Sequence, residues 1–261
     1  MRRRMGPDLA VLAALAAVTA ALACAPRAPA REALATEPCR LAHPGGAGAV
    51  EARCASVEVP EDWSRPDGRR IALRVAILAA EATRPLPDPV LVLAGGPGQA
   101  ATLEFPAIAP AFAPLRRDRD VVLIDQRGTG GSARLACPPS PDQDALAPPG
   151  DEDLRAVAAC ARAQAGDPAQ YTTAAFARDL EHVRERLGRD RLNLVGFSYG
   201  TRAALAYLRL YPGRVRTLVL DGVAPPGIAI GERSGEAAGR ALSLLAARCG
   251  ADPACRARFP D

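Results

Sequence analysis

Lysine is absent: all 33 basic residues of the chain are arginine. Gly95-Gly96-Pro97-Gly98 therefore lacks the lysine of a phosphate-cradling P-loop and is read as something else. The arginines are interspersed with 29 acidic residues, and no basic block follows Arg2 to Arg4. A formal charge of +4 spread in this way leaves no nucleic-acid footprint. Histidine is nearly as scarce, with His43 and His182 the only two. No Cys-x-x-Cys spacing occurs either, which argues against zinc, and neither a metal nor an organic cofactor is expected.

The chain also lacks, at its N-terminus, an apolar stretch of the ~20 residues that a comfortable membrane span needs. Leu9 to Ala23 falls short of that, follows three arginines and ends in Ala21-Leu22-Ala23-Cys24. This pattern predicts an export signal over 1–23. Small residues before a cysteine resemble a bacterial lipobox, with Cys24 the lipidated first residue of a cell-envelope lipoprotein. Plain Ala-x-Ala cleavage and soluble secretion is the alternative. Residues 24–50 are then a tether, flexible where Ala, Pro and Arg dominate from Ala25 to Pro38.

Cysteine usage fits an oxidising compartment. Setting Cys24 aside leaves six of the seven, placed as three local pairs: Cys39 with Cys54, Cys137 with Cys160, and Cys249 with Cys255. Buried free thiols are the alternative reading.

What is present is enough for one large folded domain: 261 residues, 49% of them apolar. Ala55 to Val59 and Ile71 to Ala79 read as a hairpin around Arg65-Pro66-Asp67-Gly68. Val90 to Ala94 and Val121 to Ile124 are short, continuously apolar runs with Gly-rich exits, the mark of buried parallel strands. An irregular, Pro-rich excursion follows from Cys137 to Pro168, with a helix over Asp151 to Ala165. Thr173 caps the next helix, in which Phe176, Leu180, Val183 and Leu187 recur at helical spacing before Gly188. Leu192 to Phe197 and Val215 to Leu220 complete six strands, and the chain is helical from Gly231 on. Strands and helices alternate as in a doubly wound sheet.

Ser198 lies in Gly196-Phe197-Ser198-Tyr199-Gly200, between an apolar strand and the helical stretch Thr201 to Leu210. That context, more than the motif itself, reads as a nucleophile elbow, where a strained strand-to-helix turn lifts a serine hydroxyl above a sheet. The nearby titratable residues have quieter readings. Asp125 and Arg127 would hold the loop after the Val121 strand by pairing with each other. Asp221 is a triad-acid candidate or, more simply, caps the turn at Gly222. His182 falls on the helix before the elbow strand as a packing histidine, and His43 is loop material.

Leu93-Ala94-Gly95-Gly96-Pro97-Gly98, Asp125-Gln126-Arg127-Gly128-Thr129-Gly130-Gly131-Ser132, Gly196-Phe197-Ser198-Tyr199-Gly200-Thr201 and Leu220-Asp221-Gly222-Val223 occur in that order. Together they resemble the secreted tripeptidyl aminopeptidase and prolyl aminopeptidase group of α/β-hydrolase serine peptidases, over about residues 50 to 261. The resemblance implies an α/β-hydrolase fold, a mostly parallel sheet with flanking helices. It implies a core over 51–225 and the start of a helical cap over 226–261, where the Cys249 to Cys255 spacing fits. Ser198 would be the nucleophile, with the backbone N–H groups of Gly96 and Tyr199 as the oxyanion hole, acting on a peptide. Ala94 stands where prolyl aminopeptidases carry a histidine, which favours the tripeptidyl branch. Esterase chemistry would use the same machinery.

The family supplies its triad in the order Ser, acid, His. Both histidines here precede Ser198. No residue is therefore assigned as acid or base, and the sheet reads as C-terminally incomplete. A C-terminal complement carrying Asp and His is the expected partner. Without it, little activity is expected of these 261 residues, and a non-catalytic, truncated envelope protein is the alternative reading.

Overall fold

Short apolar runs set the middle of the sheet. A computed structural model describes residues 34–137, 150–229 and 231–259. In it β4 (Val90–Leu93) and β5 (Val121–Ile124) are buried at every position, which only central strands covered on both faces can be. Around them lie β1 (Glu37–Ala42), β2 (Ala49–Pro60), β3 (Arg70–Leu78), β6 (Leu192–Phe197) and β7 (Val215–Asp221). The seven strands take the order β1-β2-β3-β5-β4-β6-β7. β4 to β7 pair in parallel, whereas β1, β2 and β3 join by antiparallel ladders, so the sheet is mixed.

Two helical layers cover it. Helix α1 (Ala101–Ile108) and the one-turn α2 (Ala113–Arg116) follow β4, and Phe105 and Phe112 join Val90, Val92, Val121 and Leu123 on that face. After β5 come α3 (Asp151–Ala163) and α4 (Thr173–Arg186), and α5 (Tyr199–Leu210) follows β6. Phe176, Leu180, Val183, Ala203, Ala204 and Tyr207 of α4 and α5 pack on the opposite face, against Leu91, Leu93, Leu192 and Leu194. The Tyr207 hydroxyl, inside this layer, donates to Glu181 at 2.8 Å. Burial pushes the Tyr207 phenol well above its usual range.

The hairpin, the central strands and the elbow flanks form as the sequence pattern predicts. β1 does not appear in that reading, because it lies inside the segment 24–50 expected to be a tether. Only Leu41 of β1 is buried, so it has no periodicity to betray it. Its pairing to β2 is stapled by the Cys39–Cys54 disulfide, Cα to Cα 5.8 Å. The signal segment 1–23, Cys24 and residues 138–149 lie outside the described residues. Cys137 is bonded to Cys160, and Cys249 to Cys255. Thr172, not Thr173, caps α4, accepting from the Ala175 N–H at 3.1 Å. The Thr173 hydroxyl is instead 2.6 Å from that of Tyr199.

Two features are left uncovered. Val219 of β7 is 54% exposed at the sheet's outer edge. Helix α6 (Ser234–Ala251) buries no residue: it packs against the short α7 (Pro253–Arg258) with Leu242, Leu244 and Leu245 exposed.

At the opposite end of the parallel strands, Asp88 accepts from Asn193 Nδ2 at 2.8 Å and Arg119 Nε at 3.1 Å, with Arg216 Nη1 at 3.3 Å. Burial opposes its ionisation, but these donors outweigh burial and hold the carboxyl below its usual range. A depressed carboxylate contributes stability above its unfolded pKa of about 3.9 and loses it as pH falls through the folded value. Asp88→Asn should therefore lower Tm at pH 7, with the gap to wild type closing toward pH 3. A gap independent of pH in a thermal melt series would contradict this.

Candidate active site

β6 delivers the chain to Ser198 at φ 50 and ψ −119, and α5 begins at the next residue. A non-glycine residue with positive φ is strained and must be held by its surroundings. Three backbone contacts hold it. The Ser198 N–H donates to the Asp221 carbonyl at the end of β7, 2.8 Å. Its carbonyl accepts from the Thr201 N–H at 3.0 Å and the Thr201 hydroxyl at 2.6 Å. Thr201 Oγ1 in turn accepts from the Ala224 N–H at 2.8 Å, tying the elbow to the loop after β7.

The flanking glycines are required by close approach. A Cβ on Gly196 would stand 2.7 Å from the Gly200 carbonyl oxygen. One on Gly200 would run into the carbonyl oxygens of Leu93 and Ala94, the latter 2.7 Å away. The turn thus presses against the end of β4 and leaves Ser198 exposed at the carboxyl end of the parallel strands.

The Gly-Gly-Pro-Gly loop meets the serine there. A Cβ on Gly95 would lie 3.2 Å from that of Ser198. Gly96, at φ +100, turns the loop beside it. Among the described residues the N–H groups of Gly96 and Tyr199 make no hydrogen bond. Tyr199 is the first residue of α5, so its N–H has no intrahelical partner. Two unengaged donors thus lie next to the serine, one at the start of α5 and one on the loop whose Gly95 approaches it. An apolar cavity of about 220 Å³ opens alongside, between Gly95, Gln99, Phe105, Ile108 and Phe197, with Glu104 in its wall.

The loop after β5 holds this loop at both ends. Gln126 Nε2 donates to the Ala94 carbonyl at 3.3 Å, just before Gly95. Asp125, fully buried, accepts from the Thr102 N–H at 2.9 Å and its hydroxyl at 2.8 Å, at the start of α1. It also accepts from the Gly131 N–H at 3.0 Å. The pairing expected between Asp125 and Arg127 does not exist, because the two side chains serve opposite faces of the sheet. Arg127 pairs with Asp179 of α4, Nη2 to Oδ1 2.6 Å and Nε to Oδ2 2.7 Å. It also donates to the carbonyls of Pro60, Glu61 and Gln170, and Trp63 Nε1 donates to Asp179 at 2.9 Å. This cluster is missing from the sequence reading, although one signal for it existed. Asp179 sits within the apolar stripe of α4, where an unpaired carboxylate would be untenable.

The titratable candidates are not gathered at the serine. His182 lies beside Trp63, ring centroids 6.1 Å apart and the planes tilted by 59°. His43 Nδ1 accepts from the Gly45 N–H, and its Nε2 is 3.9 Å from Glu104. Among the described residues neither histidine bonds Ser198, whose hydroxyl makes no hydrogen bond. Asp221 meets the elbow through its carbonyl, and its side chain makes no capping hydrogen bond at Gly222 among the described residues. No cluster of three or more His, Cys, Asp or Glu side chains that could hold a metal occurs among them either.

An elbow serine, a glycine loop with free N–H groups and this sheet order are the parts of one known architecture. Residues 88–240 match the family model of the alpha/beta hydrolase fold. The chain belongs to that family. Among curated proteins this hydrolase is 36% identical over 193 residues to a tripeptidyl aminopeptidase of Streptomyces lividans, covering 67% of the chain and 36% of the relative. It is 31% identical over 205 residues to the serine protease Hip1 of Mycobacterium tuberculosis, covering 72% and 39%. It is also 35% identical over 224 residues to carboxylesterase B of the same organism, covering 78% and 43%. The hydrolase thus spans less than half the length of each of these relatives. No described helix is long and apolar enough to cross a membrane.

Proposed function

We propose that this chain is the nucleophile-bearing part of an exported serine aminopeptidase that releases N-terminal residues or short peptides. The observation that carries the reading is Ser198, exposed at positive φ beside the free N–H groups of Gly96 and Tyr199. Ser198 Oγ attacks a peptide carbonyl, its proton passes to a base, and the two N–H groups take the negative charge that forms on the carbonyl oxygen. Collapse expels the amine and leaves an acyl-enzyme, which water then releases. The base and the acid that orients it come from a C-terminal complement, in the same polypeptide or a second one. The exposed edge of β7 and the leucines of α6 are the surfaces it would cover.

Tripeptidyl anilides and simple nitrophenyl esters, offered to the complemented protein, test this reading. Anilide hydrolysis abolished by Ser198→Ala is expected. Ester hydrolysis alone would favour an esterase, a reading supported by the carboxylesterase relative. In the same assay Asp125→Ala, which frees the start of α1 and with it the Gly96 loop, should lower kcat about 10- to 100-fold with KM little changed. An equal rise in KM would show that Asp125 serves substrate binding instead.

Export rests on the three arginines and apolar stretch before Cys24, and anchoring on Cys24 itself. Cys24→Ala should move the protein from the membrane fraction to the soluble one. An unchanged distribution would leave secretion without a lipid.

A further inference from the structure

Arginines that hold a fold together have their donors filled, as Arg127 does with five hydrogen bonds. Arg74 does not. Among the described residues only its Nη2 has a side-chain partner, the sulfur of Cys54 at 3.1 Å, which is a weak acceptor. Arg74, partly buried, lines a cavity of about 490 Å³. Arg40 of β1 and Arg134 of the loop after β5 line the same cavity, and among the described residues no acidic one does.

We propose that this cavity binds the phosphate group of a small phosphate ester. Three arginines line one space, and an anion of two charges would offset their like charge. Planar guanidinium forks match phosphate oxygens in pairs, which a single ammonium cannot do.

The neighbouring acids leave the charge uncancelled. Arg40 meets Glu51 at 3.2 Å, but the two side chains are 69% and 75% exposed, so the pair is weak and free to turn. Among the described residues Arg134 has no carboxylate partner within ion-pair distance. The buried Asp125 does not line the cavity, and its oxygens are engaged by Thr102 and Gly131.

Arg74 is also held in place. Its N–H donates to Ser132 Oγ at 2.9 Å, and its stem passes over Gly131, where a Cβ would come 2.6 Å from Arg74 Cδ. Gly131 is thus the residue that leaves room for the Arg74 stem beside the cavity. Because Asp125 also binds Gly131, the cavity wall and the end of the Gly96 loop share one support.

Calorimetric titration of the full chain with inorganic phosphate and with glycerol 3-phosphate, at about 150 mM salt, tests the site. One saturable site with Kd below about 1 mM is expected, with the ester at least as tight as the free ion. Arg74→Gln should weaken binding about 10-fold or more and Arg134→Gln about 3-fold or more, whereas Arg155→Gln on the exposed face of α3 should change nothing. Arg134 is exposed, so its variant tests the site even where Arg74→Gln lowers the melting temperature. Binding that is unsaturable, that falls equally with Arg155→Gln, or that survives both Arg74→Gln and Arg134→Gln would overturn the proposal.

Discussion

Asp179→Ala is expected to cost about 3–5 kcal/mol of stability, the range for removing one partner from a buried ion pair. Its side chain and that of Arg127 are 0% and 1% exposed. Without the carboxylate, the Nε and Nη2 donors of Arg127 lose their partner, and the charge stays behind in a site that water does not reach. Against a total of roughly 5–15 kcal/mol, that loss leaves a marginal fold. For a domain of this size it corresponds to a fall in Tm on the order of 10 °C. Arg127→Met should be no milder, because it orphans the carbonyls of Pro60, Glu61 and Gln170 besides Asp179. A thermal melt of Asp179→Ala within about 3 °C of wild type would show that the pair is dispensable. The effect should reach the active site too, since Arg127 anchors the loop whose Asp125 and Gln126 hold both ends of the Gly96 segment.

Those contacts also mark the boundary of what the sequence could reveal. The elbow was legible because every part of it is local: an apolar strand, two glycines at close approach, and a helix after it. β4 and β5 were legible because burial on both faces leaves an unbroken apolar run. β1 was not, since an edge strand with one buried side chain owes its place to a ladder and a disulfide with β2. α1 was missed for a related reason. Its N-cap is Ala100, which offers no side-chain cap, and the acceptor for its first turn is Asp125 from a distant loop. The partner of Arg127 lies 52 residues away on α4, and nothing beside Arg127 in the sequence points to it over Asp125, two residues away. What the sequence did show was an absence, two histidines and both before Ser198. The structure then places one beside Trp63 and the other beside Glu104.

That absence fixes the second large effect. These 261 residues on their own should hydrolyse tripeptidyl anilides about 10⁴-fold or more slowly than the protein supplied with its C-terminal complement. A serine without its base loses up to about 10⁶ in kcat, while the oxyanion donors and substrate binding retain a residue of about 10³–10⁴ over water. Ser198→Ala should therefore matter very differently in the two preparations. In the complemented protein it removes nearly all turnover, because nucleophile and base act as a unit. In the chain alone it should change little, because Gly96 and Tyr199 still offer their N–H groups to a carbonyl that water attacks. Single-turnover assays of the four preparations separate the cases. Rapid turnover by the chain alone that Ser198→Ala abolishes would mean that a base is already present. His43 would then be tested first, because Glu104, which it meets, lines the cavity that also contains Gly95 and Phe197, on either side of the serine.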